Sequence, residues 1–350
     1  RRRSGLLVPS AGYSDKLGVE LAVPYYLDLA PNYDLTLTPR VMSRRGVMLG
    51  GEFRFLTEAF GGEISGNWLP HDNASTTNPD DRASLSIRSW GRHSEHLSSA
   101  LRVNQVSDDA FLSDFGGSLA VTSNSLLERA GELRYATDAW SALARVQSYQ
   151  VIDAGMPKAS RPYQRLPQLL FDLQQDSASL PLTYRLDAEY VNFVKGGGFV
   201  EGSRIDLQPG VSAPLRDAHY FLVPRASVRY TAYQLDNQLP GLDDSPDRLA
   251  PVFSLDGGLY FDRRTSWFGS SATQTLEPRM FYLLVPEQDH TAIPVFDTNE
   301  FDFGFDNLFR ENRFNGADRL GDANQLTLAL TSRINNDETG REVLRLSLIH

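Results

Sequence analysis

Apolar and polar residues alternate with period two along nearly the whole chain, the mark of strands that present one apolar face. Over 33–41, Tyr33, Leu35, Leu37 and Val41 alternate with Asp34, Thr36, Thr38 and Arg40. Over 182–190, Leu182, Tyr184, Leu186, Ala188 and Tyr190 oppose Thr183, Arg185, Asp187 and Glu189. Leu326, Leu328 and Leu330 oppose Gln325, Thr327, Thr331 and Arg333. No amphipathic helix of comparable length occurs, and the best helical candidate is the short piece 109–115 inside a loop. The alternation predicts about seventeen strands, near 4–9, 17–29, 33–43, 46–58, 60–71, 82–92, 95–106, 126–136, 139–152, 167–176, 181–195, 203–214, 220–235, 251–264, 273–286, 324–334 and 341–348.

The connections between these strands sort by parity. After odd-numbered strands they include the long stretches 107–125, 153–166, 236–250 and 287–323, whereas after even-numbered strands they include the short 29–32, 92–95 and 136–139. Sequential antiparallel strands put all connections of one parity at one end of the sheet. Long loops at one end and tight turns at the other is the layout of an outer-membrane barrel, and a soluble sandwich has no reason to adopt it. Strand lengths near 10–14 residues suit a tilted membrane crossing better than the usual 5–6. Tyr25, Phe53, Phe55, Trp68, Trp90, Trp140, Phe261 and Tyr282 are placed as interfacial girdle aromatics. An odd strand count does not close an up-and-down antiparallel barrel without a parallel seam, and bacterial barrels are usually even. The fold class expected is therefore all-β: an antiparallel transmembrane outer-membrane β-barrel, incomplete, with residues 1–350 as part of a single barrel domain.

Composition changes the picture in three places. The chain has 350 residues, a formal net charge of −10 and no cysteine, which excludes a disulfide framework and thiolate metal sites within it. A net acidic chain is a poor nucleic-acid binder, and no nucleic-acid partner is expected. Of the 34 basic residues only Lys16, Lys158 and Lys195 are lysines; the rest are arginines, whose planar forks brace carboxylates. No window holds the roughly 18 apolar residues that a membrane-spanning helix needs. Arg1-Arg2-Arg3 lacks a Met and a following apolar run, so it is not a signal peptide, and the chain reads as an excised segment.

Particular residues then carry candidate roles. Pro9 and Pro24 fall in the first two predicted strands, where a proline cannot donate to the ladder and is at home only at an edge or a bulge. Arg40, Arg54, Arg88, Arg102, Arg185 and Arg229 lie on the polar side of the alternation among acids such as Asp34, Glu52, Asp187 and Glu277. They either grip anionic ligand groups or pair internally with those acids. The 287–323 connection holds Phe301, Phe303, Phe305, Phe309 and Phe314, an aromatic content that argues for a packed, in-folded loop. Its acids Asp297, Glu300, Asp302 and Asp306 match no calcium-loop spacing, and His93 and His96 lack a third ligand, so no metal and no cofactor are expected. Nucleophile-elbow, P-loop and dinucleotide motifs do not occur, and no enzyme activity is expected.

Several stretches together resemble one family. The opening "SGLLVPSAGYSDKLGVELAVPYYLDLAPNYDLTLTPRVMSRRGVMLGGEFRFL" (4–56), "RPYQRLPQL" (161–169), "QTLEPRMFYLLVP" (274–286) and "DNLFRENRFNGADRLGDANQLTLALTSR" (306–333) occur in the order found in LptD, the lipopolysaccharide-assembly family of Gram-negative outer membranes. The resemblance implies the N-terminal part of a barrel of roughly 26 strands, lying after a periplasmic domain and ending before the last strands, with 287–323 as a long extracellular loop. It implies an integral protein of the cell outer membrane that inserts lipopolysaccharide into the outer leaflet through a polar lumen and a lateral gate. Pro9 and Pro24 would belong to that gate. The implied partners are lipopolysaccharide, a lipoprotein plug of the LptE type, a periplasmic bridge protein of the LptA type and outer-membrane lipids. Two departures stand out: the family's cysteines are missing, and the final strand pattern breaks off at Leu348-Ile349-His350. A passive porin-type transport barrel shares the loop parity but not the paired prolines or the 306–333 stretch. A soluble carbohydrate-active enzyme would need a carboxylate pair in a cleft.

Overall fold

The computed structural model describes residues 3–74, 81–116 and 125–350. Among them the chain forms 21 strands, with helix limited to α1 (Phe111–Phe115) and two 3-10 turns. It divides into two compact units, Arg1–Thr137 with Ala142–Leu169, and Asp138–Ser141 with Leu170–His350.

The first unit holds β1 (Gly5–Leu6), β2 (Ser10–Ser14), β3 (Gly18–Ala22), β4 (Tyr25–Ala30), β5 (Tyr33–Met42), β6 (Gly46–Leu56), β7 (Phe60–Leu69), β8 (Arg82–Arg92), β9 (Leu97–Val106) and β10 (Leu126–Ala136). From β5 to β10 each strand pairs antiparallel with the next. β11 (Trp140–Val151) and β12 (Gln164–Asp176) have residues in both units. The second unit holds β13 (Thr183–Val194), β14 (Glu201–Ser212), β15 (Leu215–Arg216), β16 (Tyr220–Asp236), β17 (Asp247–Leu259), β18 (Phe261–Trp267), β19 (Ser270–Val285), β20 (Ala323–Asn336) and β21 (Glu342–Ile349). Its pairings are again antiparallel between neighbours in sequence.

The 21 pieces follow the seventeen predicted lines, of which the first runs past its predicted end at 9 to include β2 and the twelfth past 214 to include β15; four lines are broken. Three breaks fall at a proline: Pro9 separates β1 from β2, Pro24 precedes β4, and Pro214 separates β14 from β15. Each proline withholds a ladder donor. The fourth break, at Tyr260, splits the line predicted as 251–264 into β17 and β18. The parity of the connections holds for most of the chain, with the tight turns 15–17 and 43–45 after odd-numbered lines as exceptions. Residues 31–32, 57–59, 93–96 and 268–269 are tight links, while 107–125, 237–246 and 286–322 are long. The short helix expected at 109–115 is α1.

The two faces of the strands are inverted relative to a soluble sheet. Along β17, Leu249 and Phe253 are exposed while Arg248, Ala250, Val252 and Ser254 are buried. Along β20, Leu326, Leu328 and Leu330 are exposed while Thr327 and Thr331 are buried. In the first unit Val41, Leu49, Ile64, Trp68, Leu85 and Leu101 are exposed on the face opposite Arg54, Arg88 and Arg102. Soluble monomers expose apolar patches of only a few hundred Å². A continuous apolar face spanning whole strands is of another order.

One aromatic sits on the wrong side for a girdle. Trp90 pairs with Gly61, on the polar face with Arg88. Alternation alone requires this, because Leu85, Ile87 and Ser89 take the other face. A Cβ on Gly61 would come within 3.1 Å of the Trp90 ring, so glycine is what lets the indole lie across the neighbouring strand.

Candidate functional site

The polar faces carry the chemistry, and each unit folds a loop onto its own polar face through one buried arginine. In the second unit this is Arg204 on β14, 1% exposed. Its Nη1 donates to Asp297 (2.8 Å) and Asp318 (2.6 Å), and its Nη2 to Glu189 on β13 (2.6 Å). Asp297 and Asp318 belong to the 286–322 connection, so the pairs tie loop to wall. Asp318 is fully buried and saturated. It accepts the backbone N–H groups of Phe296 and Asp297 and the hydroxyls of Thr298 and Tyr233. Phe296 stacks on Phe193 at 4.4 Å, and the Arg204 guanidinium lies 4.9 Å from the same Phe193 ring.

The rest of the loop is fastened residue by residue. Arg248 on β17 donates to the Ala317 carbonyl (2.6 Å), and Arg229 on β16 to the Gly316 carbonyl (3.2 Å). Ser254 and Arg225 both engage Glu311. Leu320 joins a cluster with Ala250, Val252, Phe281, Leu283 and Val285, against which Phe309 packs. Gly316 has φ +69°, and a Cβ there would come 2.6 Å from the Thr298 hydroxyl. The loop is packed, as the sequence suggested, but through Phe296 and Phe309; of the other phenylalanines on which that reading rested, Phe303 is 88% exposed.

The first unit repeats the device. Arg82 on β8, 3% exposed, donates to Asp72 (2.9 Å), Asp108 (2.6 Å) and Asp114 (2.8 Å). Its guanidinium lies 4.7 Å from the Phe115 ring of α1. Phe111 and Phe115 pack with Leu17, Met42, Met48, Leu69, Val106, Leu127 and Ile152. Here two further cations contribute: Arg45 pairs with Asp72 (2.9 Å) and Asp114 (3.4 Å), and Lys16 lies 3.7 Å from Asp114. Burial alone would push the Asp72 carboxyl up. Bonds from Arg82, the Ala74 N–H and Arg45 outweigh it and hold the carboxyl below the usual carboxylate range. Asp108 is held low in the same way by Arg82 and Ser107 against burial.

The six arginines singled out by alternation all lie on the polar faces. Arg40 pairs with Glu20, Arg54 with Asp34 (2.9 Å), Arg102 with Glu128 and Glu132, and Arg229 with Asp206. Arg185 donates to the Gln174 amide oxygen (2.8 Å). Arg88 has no ion-pair partner among the described residues. They do not converge on one point; four of the six are spent on acids of the same wall. The acids Glu300, Asp302 and Asp306 of the long loop do not gather with Asp297, which is committed to Arg204. No group of metal-ligating side chains occurs among the described residues.

Pro9 and Pro24 are neighbours across two adjacent lines. Leu6 faces Tyr25 and Ser10 faces Ala22, so residues 7–9 lie opposite 23–24. Three residues against two make a bulge. Inside it the Leu7 N–H still donates to the Pro24 carbonyl (2.9 Å), and on the far side the Val23 N–H donates to the carbonyl of a third proline, Pro39 (3.1 Å). Neither Pro9 nor Pro24 lies within a strand, as the sequence placed them; both sit in the gaps that they create.

Comparison with known proteins adds a family. Residues 80–348 match the family described as LptD, LPS transport system D. An "LPS-assembly protein LptD" of Alkalilimnicola ehrlichii is 46% identical over 99% of this chain and 46% of its own length. One of Nitrosococcus oceani is 44% identical over 99% of this chain and 47% of its own. The chain therefore spans about half the length of the curated relatives it matches. Among solved structures, OccK10 (OpdN) of Pseudomonas aeruginosa aligns over 99% of this chain and 97% of its own, at 9% identity and a TM-score of 0.30, too low to equate strands.

Proposed function

The chain belongs to the LptD family, and from that membership we propose that it forms part of the wall of an outer-membrane barrel that delivers lipopolysaccharide to the outer leaflet. The observation that carries this reading is the inverted pair of faces. The apolar face, with Leu249, Phe253, Leu326, Leu328 and Leu330 exposed, meets lipid. The opposite face, with its arginine–carboxylate pairs, lines a hydrated lumen. A saccharide moves along such a wall by weak contacts at many sites, and no bond in it need be made or broken, so no turnover chemistry is assigned.

The interrupted ladder at Pro9 and Pro24 serves as one side of a lateral gate. Each absent N–H removes roughly 1 kcal/mol of net pairing, and the bulge concentrates both losses at one level of two adjacent lines. Lipid-linked acyl chains leave sideways where strand pairing is cheapest to open. The partners proposed are lipopolysaccharide, a lipoprotein plug of the LptE type held in the lumen, a periplasmic bridge of the LptA type and the surrounding outer-membrane lipids. The location is the outer membrane of a Gram-negative cell.

The test replaces both prolines, Pro9→Ala and Pro24→Ala, in the full-length protein as the cell's sole copy. Surface lipopolysaccharide labelling is expected to fall and detergent sensitivity to rise. Unchanged delivery with unchanged sensitivity would remove the gate role. Loss of delivery is also expected on depletion of the whole protein. Rapid non-specific solute conductance with normal lipopolysaccharide delivery after depletion would instead favour a passive porin-type barrel.

A further inference from the structure

A cavity of about 490 Å³ opens on the polar face of the second unit, at the short-turn end of β13, β14 and β16. Three arginines line it: Arg185 on β13, Arg216 on β15 and Arg225 on β16. We propose that this cavity is a phosphate-binding site, at which a phosphate group of the transported glycolipid pauses; the proposal rests on the transport reading above.

The cavity gathers guanidinium charge in a shaped place. Elsewhere on this face Arg204 is answered by three acids, Arg229 by Asp206 and Arg279 by Asp256, while the buried Arg248 is met by the Ala317 and Asp318 carbonyls and the Thr231 hydroxyl. In the cavity neither Arg185 nor Arg216 makes a direct ion pair among the described residues; Asp187, two positions along β13, interacts with Arg185 and Arg225 through space only. Arg185 meets only the neutral amide of Gln174, and Arg225 reaches Glu311 at 3.3 Å. The one acid in the lining, Asp176, accepts the Thr183 hydroxyl at 2.6 Å. In a chain of net charge −10, such a local excess of guanidinium calls for an anion from outside. Guanidinium forks match phosphate oxygens two at a time.

The floor is built to admit one. Gly210 pairs with Arg185 on one side and with Ser227 on the other, and Ser212 pairs with Thr183 and Arg225. The two arginine-bearing strands are thus separated by one strand, about 10 Å between their backbones, with a bare glycine and a small hydroxyl between. A Cβ on Gly210 would come 2.9 Å from the Ser227 Cβ, so this stretch of floor stays empty. A phosphate resting there reaches both walls, with the Ser212 hydroxyl beneath it.

A photo-crosslinking residue in place of Ser212, in the full-length protein in cells, tests the site. A second probe in place of Asn104, on the polar face of the first unit, tests the transport reading by itself. Lipopolysaccharide crosslinks are expected from both. The Arg185→Gln, Arg216→Gln double variant should lower the Ser212 crosslink about tenfold and leave that of Asn104 unchanged, and the Arg185→Lys, Arg216→Lys variant should restore part of it. In the purified full-length protein, millimolar inorganic pyrophosphate should compete the Ser212 crosslink alone. A Ser212 crosslink indifferent to the arginines or to pyrophosphate overturns the site, as does a Ser212 product that is protein, which would assign the cavity to the plug. Crosslinks from Asn104 without any from Ser212 overturn the site and spare the transport reading; none from either overturns both.

Discussion

Arg82 and Arg204 solve the same problem with different margins. Each is a buried strand arginine bonded to three carboxylates and stacked near a phenylalanine. Around Arg82, Arg45 and Lys16 share the acids. Around Arg204, the fully buried Asp318 has no second cation paired with it through its side chain among the described residues. Arg248 comes near but bonds the carbonyls of Ala317 and Asp318. At Asp72 and Asp114 the first node is redundant, whereas at Asp318 the second depends on Arg204. The second also holds much the longer loop, 286–322, in place.

That difference is open to attack, starting where it is largest. Arg204→Met strips the fully buried Asp318 of its cation and takes a bond from Asp297 and Glu189, a loss of about 3–5 kcal/mol for a broken buried pair. The 286–322 loop should become protease-sensitive in the folded protein, with a lowered melting temperature in detergent. Asp318→Asn should cost less, about 2–3 kcal/mol, because Arg204 keeps Asp297 and Glu189. An amide offers one acceptor oxygen where the carboxylate uses both, so either the Arg204 and Tyr233 bonds or the Phe296, Asp297 and Thr298 bonds fail. Arg82→Met should cost less again, about 1–2 kcal/mol, because Arg45 still pairs with Asp72 and Asp114. Adding Arg45→Met should cost more than its effect alone, as expected for groups in one network. Simple additivity in that cycle would refute the redundancy.

Acid sharpens the comparison further. Asp72 and Asp108 are held low in the folded state, so the unfolded chain binds their protons first as pH falls. Their contribution is complete above the ordinary carboxylate value of about 4 and is lost as pH drops through the lower folded values. Proteolytic opening of the segment around α1 should follow that descent. The smallest effect belongs to His290 in the long loop. Burial, with Arg248 and Arg319 nearby, lowers its pKa, and its Nε2 accepts the Leu320 N–H. Its contribution is complete above about 6.5 and declines as pH falls from there. His290→Gln should flatten that part of the loop's protease profile without altering the acid limb.

Much of this architecture was legible in the alternation, and the limits are physical. Period two located the seventeen lines and assigned all six arginines to the polar side, because a strand's faces follow from counting. The long loop was recognisable as packed, but not through which rings: Phe296 is buried and Phe303 is exposed. Alternation could not rank one polar-face arginine above another. Arg204 stood among ordinary polar-face residues, and its partners Asp297 and Asp318 lie 93 and 114 positions away. A faint signal existed: Asp318 follows Gly316-Ala317 and precedes Arg319-Leu320, and Asp297 follows Val295-Phe296, single acids next to apolar neighbours. Trp90 went wrong for the opposite reason, its residue type having been weighed above its place in the count. The formal glycosylation sequon Asn73-Ala74-Ser75 ends on Ser75, which lies outside the described residues.

The bulge at 7–9 also shifts the phase of the first line. Before it Leu6 shares the apolar face with Tyr25, and after it Tyr13 shares that face with Val19. Leu6 and Tyr13 are seven positions apart, an odd separation that an unbroken strand would place on opposite faces. Deleting Val8 would therefore do more than shorten the connection. It would leave Leu6 and Tyr13 an even six positions apart, matching the six between Val19 and Tyr25, so the line could pair without a bulge and still show both side chains outward. The extra residue works as a dislocation, letting two stretches of one line keep their own registers while both show the same face outward.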